Sequence, residues 1–295
     1  MKITITGGSG FLGSHVADAL SKKGHKVTIF DKKYSKWIRK DQKMYVGNIL
    51  NSKELSRAIK GADVVFHFAA LSSLGDALKL PIETVKLNIL GTVVALNLCQ
   101  KHKVKRFIHA STIYVNSIEG GFYRCSKRAA EDYVEEYNKI YGLEYTILRF
   151  GSLYGQRSDE NNGVGIILKD AVLNGKIQYE GSKKTIRRYI HVSDAAKACI
   201  DSLKLKYKNK YLIITGKKEI KITIFLNKLA KILNISKKIK FKNKKNVGHY
   251  ETTPFTYKLK KGQIYKQKKC IDIYDGISQL IKEIKNKKLG WIINS

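Results

Sequence analysis

The chain has 295 residues, of which 43% are hydrophobic and 10% aromatic, as expected of a globular protein with one large domain or two smaller ones. Its formal net charge is +33, with 57 lysines and arginines against 24 aspartates and glutamates. The excess is mostly lysine, and arginine is the better reader of bases and phosphates, so we expect charged solvent faces and no specific nucleic-acid binding.

Segments for secretion, membrane insertion or metal binding are not expected. No apolar run approaches the ~20 residues that cross a bilayer, and residues 1–14 lack the pattern of a secretory signal. Cys99, Cys125, Cys199 and Cys270 are scattered without a C-x-x-C pair. We therefore expect a cytoplasmic protein with reduced thiols, no membrane insertion and no metal site.

Strands and helices alternate over the first 150 residues. Two β-rich runs, 2–6 (KITIT) and 25–30 (HKVTIF), enclose an amphipathic stretch that ends at Gly24, which predicts a βαβ unit. The alternation continues with predicted helices at 55–61, 81–102 and 123–142 and predicted strands at 62–70, 104–112 and 143–155. This order is typical of an α/β Rossmann-type, doubly wound parallel sheet.

A glycine turn stands where the first predicted strand meets the first helix. Gly7 permits the tight turn, Gly10 lets a pyrophosphate approach the backbone, and Gly13 allows close helix packing. Asp31 closes the second strand, where a carboxylate accepts hydrogen bonds from the ribose and repels a 2′-phosphate. NAD is therefore the expected cofactor, although Lys32 beside Asp31 could tolerate the phosphate of NADP.

We expect two structural parts. Residues 1–150 form an NAD-binding Rossmann domain whose sheet is completed by parts of 185–215, including the strand KYLIIT. Residues 151–184 and 216–295 form a smaller α+β substrate lobe at the C-terminal side of the sheet, with amphipathic helices near 222–233 and 271–284.

Tyr123 and Lys127 form a Tyr-x-x-x-Lys pair that chance could produce, but its surroundings match a known pattern. The matching segments are TGGSGFLG (6–13), HFAA (67–70), LNILGT (87–92), YRCSK (123–127) and RRYIHVSDAA (187–196). In this order the chain resembles the extended short-chain dehydrogenase/reductase family, in its NAD-dependent nucleotide-sugar epimerase/dehydratase branch. The resemblance covers most of residues 1–215.

The resemblance implies a catalytic triad of Thr112, Tyr123 and Lys127. A tyrosine hydroxyl has a pKa near ~10, and we expect the lysine ammonium and a positive nicotinamide to lower it. The i, i+4 spacing places both groups on one helix face. Thr112 would hold the substrate hydroxyl while the C4 hydrogen passes to NAD as hydride, and Lys127 would also reach the nicotinamide ribose.

The resemblance also implies the binding residues. Cofactor-binding positions are Gly7, Gly10, Phe11, Leu12, Gly13, Asp31, Lys32, Asn48, Ile49, Phe68, Ala69, Ala70, Asn88, Tyr123 and Lys127. Substrate-binding positions are Ser72, Thr112, Ser152, Tyr179, Arg187 and Tyr250, with Arg187 assigned to the substrate diphosphate. Asn48 replaces an aspartate near adenine, and its amide oxygen can still accept a hydrogen bond.

Departures from the family narrow the chemistry. The Asp-Glu pair of 4,6-dehydratases is replaced by Ile113 and Tyr114, so we expect no 4,6-dehydratase activity. Cys125 lies inside the tyrosine motif, and no cysteine follows Thr112 as it does in 3,5-epimerase/reductases. What remains is redox chemistry at C4 of a nucleotide-activated sugar, in nucleotide-sugar or surface-polysaccharide metabolism.

Three C4 reactions stay open. We prefer a 4-epimerase, and a 4-dehydrogenase and a 4-ketoreductase are alternatives. The sugar and the nucleotide are not identified. More remote alternatives are a non-catalytic NAD-binding protein and a nucleic-acid-binding protein. The family also implies a homodimer through helices 83–102 and 123–141, and His67, His109 and His191 are expected to be hydrogen-bonded core residues.

Overall fold

A computed structural model describes residues 1–158, 162–235, 239–242, 249, 251 and 278. The chain divides into two units, Met1–Tyr257 and Lys258–Ser295. In the second unit the description covers Ser278, which is helical and exposed. The predicted helix near 271–284 otherwise lies outside the described residues. The division into a cofactor domain and a substrate lobe, with the boundaries given above, stays a prediction.

The secondary structure follows the predicted alternation. The described strands are β1 (Lys2–Thr6), β2 (Lys26–Asp31), β3 (Lys43–Val46), β4 (Val64–His67), β5 (Arg106–Thr112), β6 (Glu144–Phe150), β7 (Ser152–Tyr154), β8 (Ile177–Glu180), β9 (Ile186–Arg187), β10 (Tyr189–His191), β11 (Lys210–Ile214), β12 (Ile220–Lys221) and β13 (Ile239–Lys242). The described α-helices are α1 (Phe11–Lys22), α2 (Ser52–Ile59), α3 (Leu74–Lys79), α4 (Pro81–Val85), α5 (Gly91–Lys101), α6 (Gly121–Tyr141), α7 (Gly163–Asn174), α8 (Val192–Asp201) and α9 (Ile222–Ile232).

Seven parallel strands form the central sheet in the order β11-β6-β5-β4-β1-β2-β3. This is the strand order of a doubly wound dinucleotide-binding sheet, and it confirms the predicted fold class. The strand order reverses between β1 and β4, because β2 and β3 are added on one side of β1 and the later strands on the other. The carboxyl ends of β1 and β4 therefore flank the crevice where such sheets bind ligands. KYLIIT is β11, paired with β6 as predicted.

Two apolar layers cover the sheet. On one face α2, α5 and α6 contribute Leu55, Leu96 and Val134 to a cluster around Phe107. On the other face α1 and α8 contribute Leu20 and Ala195 to a second cluster. Since both faces are covered, the inner strands are buried along their length, as β4 is at every residue.

Several of the described elements were not predicted, β3 and α3 among them. The edge strand β3 (KMYV) has three exposed residues of four, so it carries no apolar alternation, and only its pairing with β2 makes it a strand. The short helix α3 is capped by Ser73, whose side chain accepts a hydrogen bond from the Asp76 N–H.

A π-helical turn, Lys86–Leu90, joins α4 and α5 into one helix, Pro81–Lys101. Among the described residues this helix alone is long and apolar enough to cross a membrane, which corrects the expectation that no segment approaches that length. Of the 18 residues that form its apolar part, 44% are buried inside the protein, and core helices can have the same length and composition, so the helix is weak evidence of membrane insertion.

Candidate active site

The glycine turn between β1 and α1 is packed too closely for side chains. A Cβ on Gly7 would lie 2.6 Å from the Ala69 nitrogen, and one on Gly13 would lie 2.2 Å from the Gly7 carbonyl oxygen. Gly7 also has a positive φ of 72°, which favours glycine. The turn therefore contacts the chain that leaves β4, and the predicted positions Phe68, Ala69 and Gly7 lie together.

The first turn of α1 fits an anionic group. Gly10 is the N-cap, no side chain caps the helix, and its first turn holds no acidic residue. The N–H groups of Phe11 and Leu12 belong to this turn, where a helix offers unpaired donors and its positive dipole end. The predicted pyrophosphate of NAD fits this position.

Asp31 lies at the carboxyl end of β2 and is tied to the glycine turn. Its carboxylate accepts hydrogen bonds from the Ser9 N–H at 3.0 Å and the Lys33 N–H at 3.2 Å. A carboxylate has about four acceptor sites, so two such bonds leave capacity for ribose hydroxyls. Lys32, the other residue predicted here, is exposed.

Asn88 lies in the π-helical turn and is fully buried. Its amide oxygen accepts from the Leu71 N–H at 2.7 Å, and its nitrogen donates to the Leu71 carbonyl oxygen at 3.0 Å and to the Ser126 hydroxyl at 2.9 Å. The side chain thus holds the loop that follows Ala70 against α6. Ser72, the next residue of that loop, is exposed.

Thr112 and Tyr123 meet at the carboxyl end of β5. Burial raises the pKa of Tyr123 to about 12, and a hydrogen bond with the Thr112 hydroxyl acts in the opposite direction. The expectation of a lowered tyrosine pKa includes the positive charge of the nicotinamide and stays a prediction. Desolvation of the phenolate outweighs the favourable hydrogen bond.

Lys127 follows Tyr123 by one helical turn and is 3% exposed. Its ammonium donates to the Ala110 carbonyl oxygen at 2.9 Å. Burial lowers the pKa of Lys127 to about 8, and the negative charge of Glu131 opposes this shift. At pH 7 the side chain is still mainly charged, one helical turn from Tyr123.

The three histidines, His67, His109 and His191, differ in their hydrogen bonding. His67 is a hydrogen-bonded core residue as predicted, with Nδ1 2.8 Å from the Thr6 hydroxyl and Nε2 3.1 Å from the Thr92 hydroxyl. Burial lowers its pKa to about 3. His109 is equally buried, but neither ring nitrogen has a partner among the described residues, so that prediction is wrong for His109. His191 is a helix cap, accepting from the Ser193 N–H.

The remaining predicted positions lie in several elements. The Asn48 amide oxygen accepts from the Leu50 N–H at 3.0 Å, so that oxygen already serves the local turn, and Ile49 is buried. Ser152 lies in β7 opposite Tyr189 of β10. Tyr179 lies in β8 and packs edge-on against Phe241. Arg187 ends β9. Tyr250 lies outside the described residues.

An ion pair on the helix that carries Tyr123 and Lys127 was not predicted from the sequence. Arg149 donates to both carboxylate oxygens of Glu131, at 3.0 and 2.6 Å. Glu131 is 3% exposed and lies four residues after Lys127 on α6. The i, i+4 spacing was the available signal, because it places this carboxylate on the same helix face as Lys127.

In the described part of the chain, no group of three or more His, Cys, Asp or Glu residues could hold a metal ion. The protein has instead a glycine turn, an acidic residue at the end of β2, and a Thr-Tyr-Lys group at the end of β5.

Known proteins resemble this chain in sequence. The model of the NAD dependent epimerase/dehydratase family matches residues 3–213. A candidate UDP-glucose 4-epimerase of Methanocaldococcus jannaschii is 28% identical over 307 residues, covering 96% of this chain and 98% of the relative. A dTDP-D-glucose 4,6-dehydratase of Dictyostelium discoideum is 31% identical over 67% of this chain and 54% of its own length.

A solved structure agrees over most of the chain. The UDP-glucuronic acid 4-epimerase of Bacillus cereus, in complex with UDP-glucuronic acid and NAD, superposes with a TM-score of 0.79 at 25% identity. The superposition covers 86% of this chain and 89% of that one. From the sheet, the glycine turn and these matches, the chain belongs to the NAD-dependent epimerase/dehydratase family and is an NAD-dependent nucleotide-sugar enzyme of the extended short-chain dehydrogenase/reductase type.

Proposed function

We propose that the protein is a 4-epimerase that oxidises and re-reduces C4 of a nucleotide-activated sugar. The observation that carries the proposal is the identity of the residues that directly follow Thr112 at the end of β5. No carboxylate follows Thr112, because the next side chains are a buried Ile113 and Tyr114. The candidate 4-epimerase relative and the 4-epimerase structure support this choice, while the dehydratase relative speaks for the rival reaction.

The chain's own residues would manage the proton. Thr112 would hold the C4 hydroxyl by a hydrogen bond, and Tyr123 Oη would take its proton as the carbinol is oxidised. The chemistry that NAD supplies when bound is reversible acceptance of hydride. Lys127 would stabilise the phenolate by its charge. Because burial alone raises the pKa of Tyr123, this positive charge and that of the nicotinamide must together bring it down during turnover.

Product mass separates the candidate reactions. Purified protein would be incubated with UDP-, GDP- and dTDP-sugars, and the products analysed by mass spectrometry and chromatography. Epimerisation leaves the substrate mass unchanged and gives a new sugar, oxidation removes two hydrogens, ketoreduction of an added 4-keto sugar adds two, and dehydration removes one water. Loss of water would overturn the proposal.

The same proposal includes a homodimer in the cytoplasm. Apolar side chains are exposed on α4 and α6, including Ile82, Val85, Phe122 and Tyr133, and the two helices contact each other. A second copy of this face would cover them as a helical bundle. Light scattering of the wild type and of Ile82→Lys tests this, with a dimer and a monomer expected. The buried free thiols of Cys99 and Cys199 fit a reducing compartment.

A further inference from the structure

Lysines are concentrated at one edge of the central sheet. Because the strands are parallel, each turn that leads from a helix into the next strand lies at the edge where the strands begin, here called the amino edge. The exposed lysines in these turns and at the first residues of the strands are Lys2, Lys23, Lys26, Lys43, Lys60, Lys103, Lys105, Lys204, Lys206, Lys208 and Lys210. The turns that leave β1, β4 and β5 at the opposite edge, residues 7–10, 68–73 and 113–120, hold no lysine or arginine.

Structural roles account for only part of this charge. The ion pairs at the amino edge that involve acidic residues are Lys105–Asp63, Arg106–Glu144, Lys208–Glu144 and Lys204–Asp201. A helix dipole favours a lysine in the last turn of a helix, as at Lys22 and Lys101, but its effect fades beyond that turn. Lys103 and Lys206 lie outside the helices and are exposed, so neither explanation applies to them.

Exposed apolar side chains lie at the same edge. In the 3₁₀ turn Leu205–Tyr207, between α8 and β11, Leu205 is 81% exposed and stands between Lys204 and Lys206 in the chain. The residues that line a cavity of about 760 Å³ at this edge include Met1, Lys103, Lys105, Tyr141 and Leu205. Met1 and Tyr141 are exposed as well. The amino edge is therefore both basic and apolar.

An exposed leucine between lysines suits a lipid surface. The leucine side chain can leave water for the boundary of the acyl chains, while the lysine stems cover apolar surface and their ammonium groups stay among anionic headgroups. Nucleic acid would also neutralise the lysines, but it would leave the leucine in water, and arginine is the better reader of phosphates. Charge and apolar exposure together favour an anionic bilayer.

We propose that the amino edge is a docking surface for an anionic lipid bilayer, with Leu205 inserted at the level of the headgroups and Lys103 and Lys206 in contact with lipid phosphates. This is contact at the membrane surface and does not require a spanning helix. The glycine turn and Thr112 lie at the carboxyl ends of β1 and β5, so the proposed active site faces away from the bilayer. The inference does not depend on the proposed 4-epimerase reaction.

Vesicle sedimentation tests the role of charge. The whole chain is mixed with vesicles of phosphatidylcholine alone or with about 30% phosphatidylglycerol, at about 0.1 M and about 0.5 M salt. We expect binding to the anionic vesicles to be at least about tenfold stronger than to the neutral ones, and to weaken at the higher salt concentration. Equal binding to the two kinds of vesicle, or no binding to either, would overturn the proposal.

A matched pair of double variants distinguishes the amino edge from net charge. Lys103→Asn with Lys206→Gln removes two charges from this edge, and asparagine tolerates the positive φ of 55° at residue 103. Lys33→Gln with Lys79→Gln removes two charges from the segments that follow β2 and β4. The first pair should weaken binding about tenfold or more, since each lysine at an anionic surface contributes about fivefold, and the second should stay within about threefold. Equal weakening by both pairs would show attraction by net charge alone and overturn the proposal.

Leu205→Ser tests the apolar contact. The substitution keeps every charge and should weaken binding to the anionic vesicles about tenfold, because the leucine side chain no longer leaves water. Leu173→Ser, on α7 and 68% exposed in the wild type, is the control and should bind like the wild type. An unchanged thermal midpoint and NAD affinity show that each variant is folded. Wild-type binding by Leu205→Ser would contradict the insertion of Leu205.

Nucleic acid is the rival partner. A DNA duplex is titrated at the same salt concentrations against the wild type, the Lys103→Asn, Lys206→Gln variant and Leu205→Ser. Duplex binding stronger than vesicle binding, weakened by the loss of the lysines and insensitive to Leu205→Ser, would assign the amino edge to nucleic acid and overturn the proposal. The 4-epimerase reaction is assayed without lipid, so failure of one hypothesis is distinguishable from failure of the other.

Discussion

The Lys127 ammonium donates a hydrogen bond to the Ala110 carbonyl oxygen, 2.9 Å away and two residues before Thr112. The bond ties the helix that carries Tyr123 to the strand that ends in Thr112. This buried contact therefore links the two elements that carry the proposed catalytic residues. Burial nevertheless makes the charge of Lys127 costly, because the ammonium is desolvated.

Tyr123→Phe should lose hydride transfer and keep its cofactor. The substitution removes the hydroxyl that would take the substrate proton, and general-base groups contribute about 10²- to 10⁴-fold to rate. NAD binding should persist, because the glycine turn and Asp31 are untouched. The measurement is NADH absorbance in a single turnover together with NAD affinity. Tyr133→Phe, an exposed tyrosine on α6, is the control, and turnover at the wild-type rate in Tyr123→Phe would contradict the assignment.

Lys127→Met should be inactive and more stable. Burial lowers the pKa of Lys127 to about 8 from 10.5, so the folded protein resists the charge that it carries at pH 7. Removing the ammonium should add about 1–3 kcal/mol to the free energy of unfolding, as a shift of this size implies roughly that range. Urea unfolding at pH 7 measures it, with the exposed Lys139→Met as control.

The pH dependence of that stability has a defined sign. Between pH 8 and 10.5 the unfolded chain still holds the Lys127 proton that the folded protein has released, so wild-type stability should gain a contribution that rises with pH. Lys127→Met should lack this contribution. An equal pH slope for the wild type and the variant over this window would show that Lys127 is not desolvated.

Asn88→Ala should weaken both stability and cofactor binding. Its side chain makes three hydrogen bonds, two of them to Leu71, and the variant leaves those buried groups without their partner. The expected cost is about 2–4 kcal/mol. Asn97→Ala, an exposed asparagine on the same long helix, is the matched control. If Asn88→Ala unfolds at the wild-type urea concentration, the buried network is not what holds the loop.

Asp31→Asn should relax the preference for NAD over NADP. The amide keeps an oxygen that can accept from the Ser9 N–H, so the turn should survive, while repulsion of a 2′-phosphate is lost. We expect the NAD/NADP affinity ratio to fall about tenfold, which is the effect of roughly 1.4 kcal/mol of repulsion. Calorimetric titration of each cofactor measures it, with Asp41→Asn as a surface control. An unchanged ratio would assign cofactor choice to other residues.

The parts of the site that lie close together along the chain were predictable. The strand, glycine turn and helix of residues 2–22 follow one another directly, and Tyr123 and Lys127 share a helix face through their i, i+4 spacing. In both cases local geometry places the groups once the secondary structure is known. The edge strand β3 was not predictable, because its side chains face water and only pairing with β2 defines it.

Contacts between distant segments depend on how the chain folds back on itself. Nothing in the spacing of Asn88 and Leu71, or of Tyr114 and His249, places either pair in contact, and both contacts form only in the folded protein. The pKa of Tyr123 is likewise a tertiary property. Local patterns in the sequence identified the tyrosine, the lysine and the glycine turn. Burial determined that the pKa of the tyrosine rises and that of the lysine falls, because burial depends on every element packed around a group.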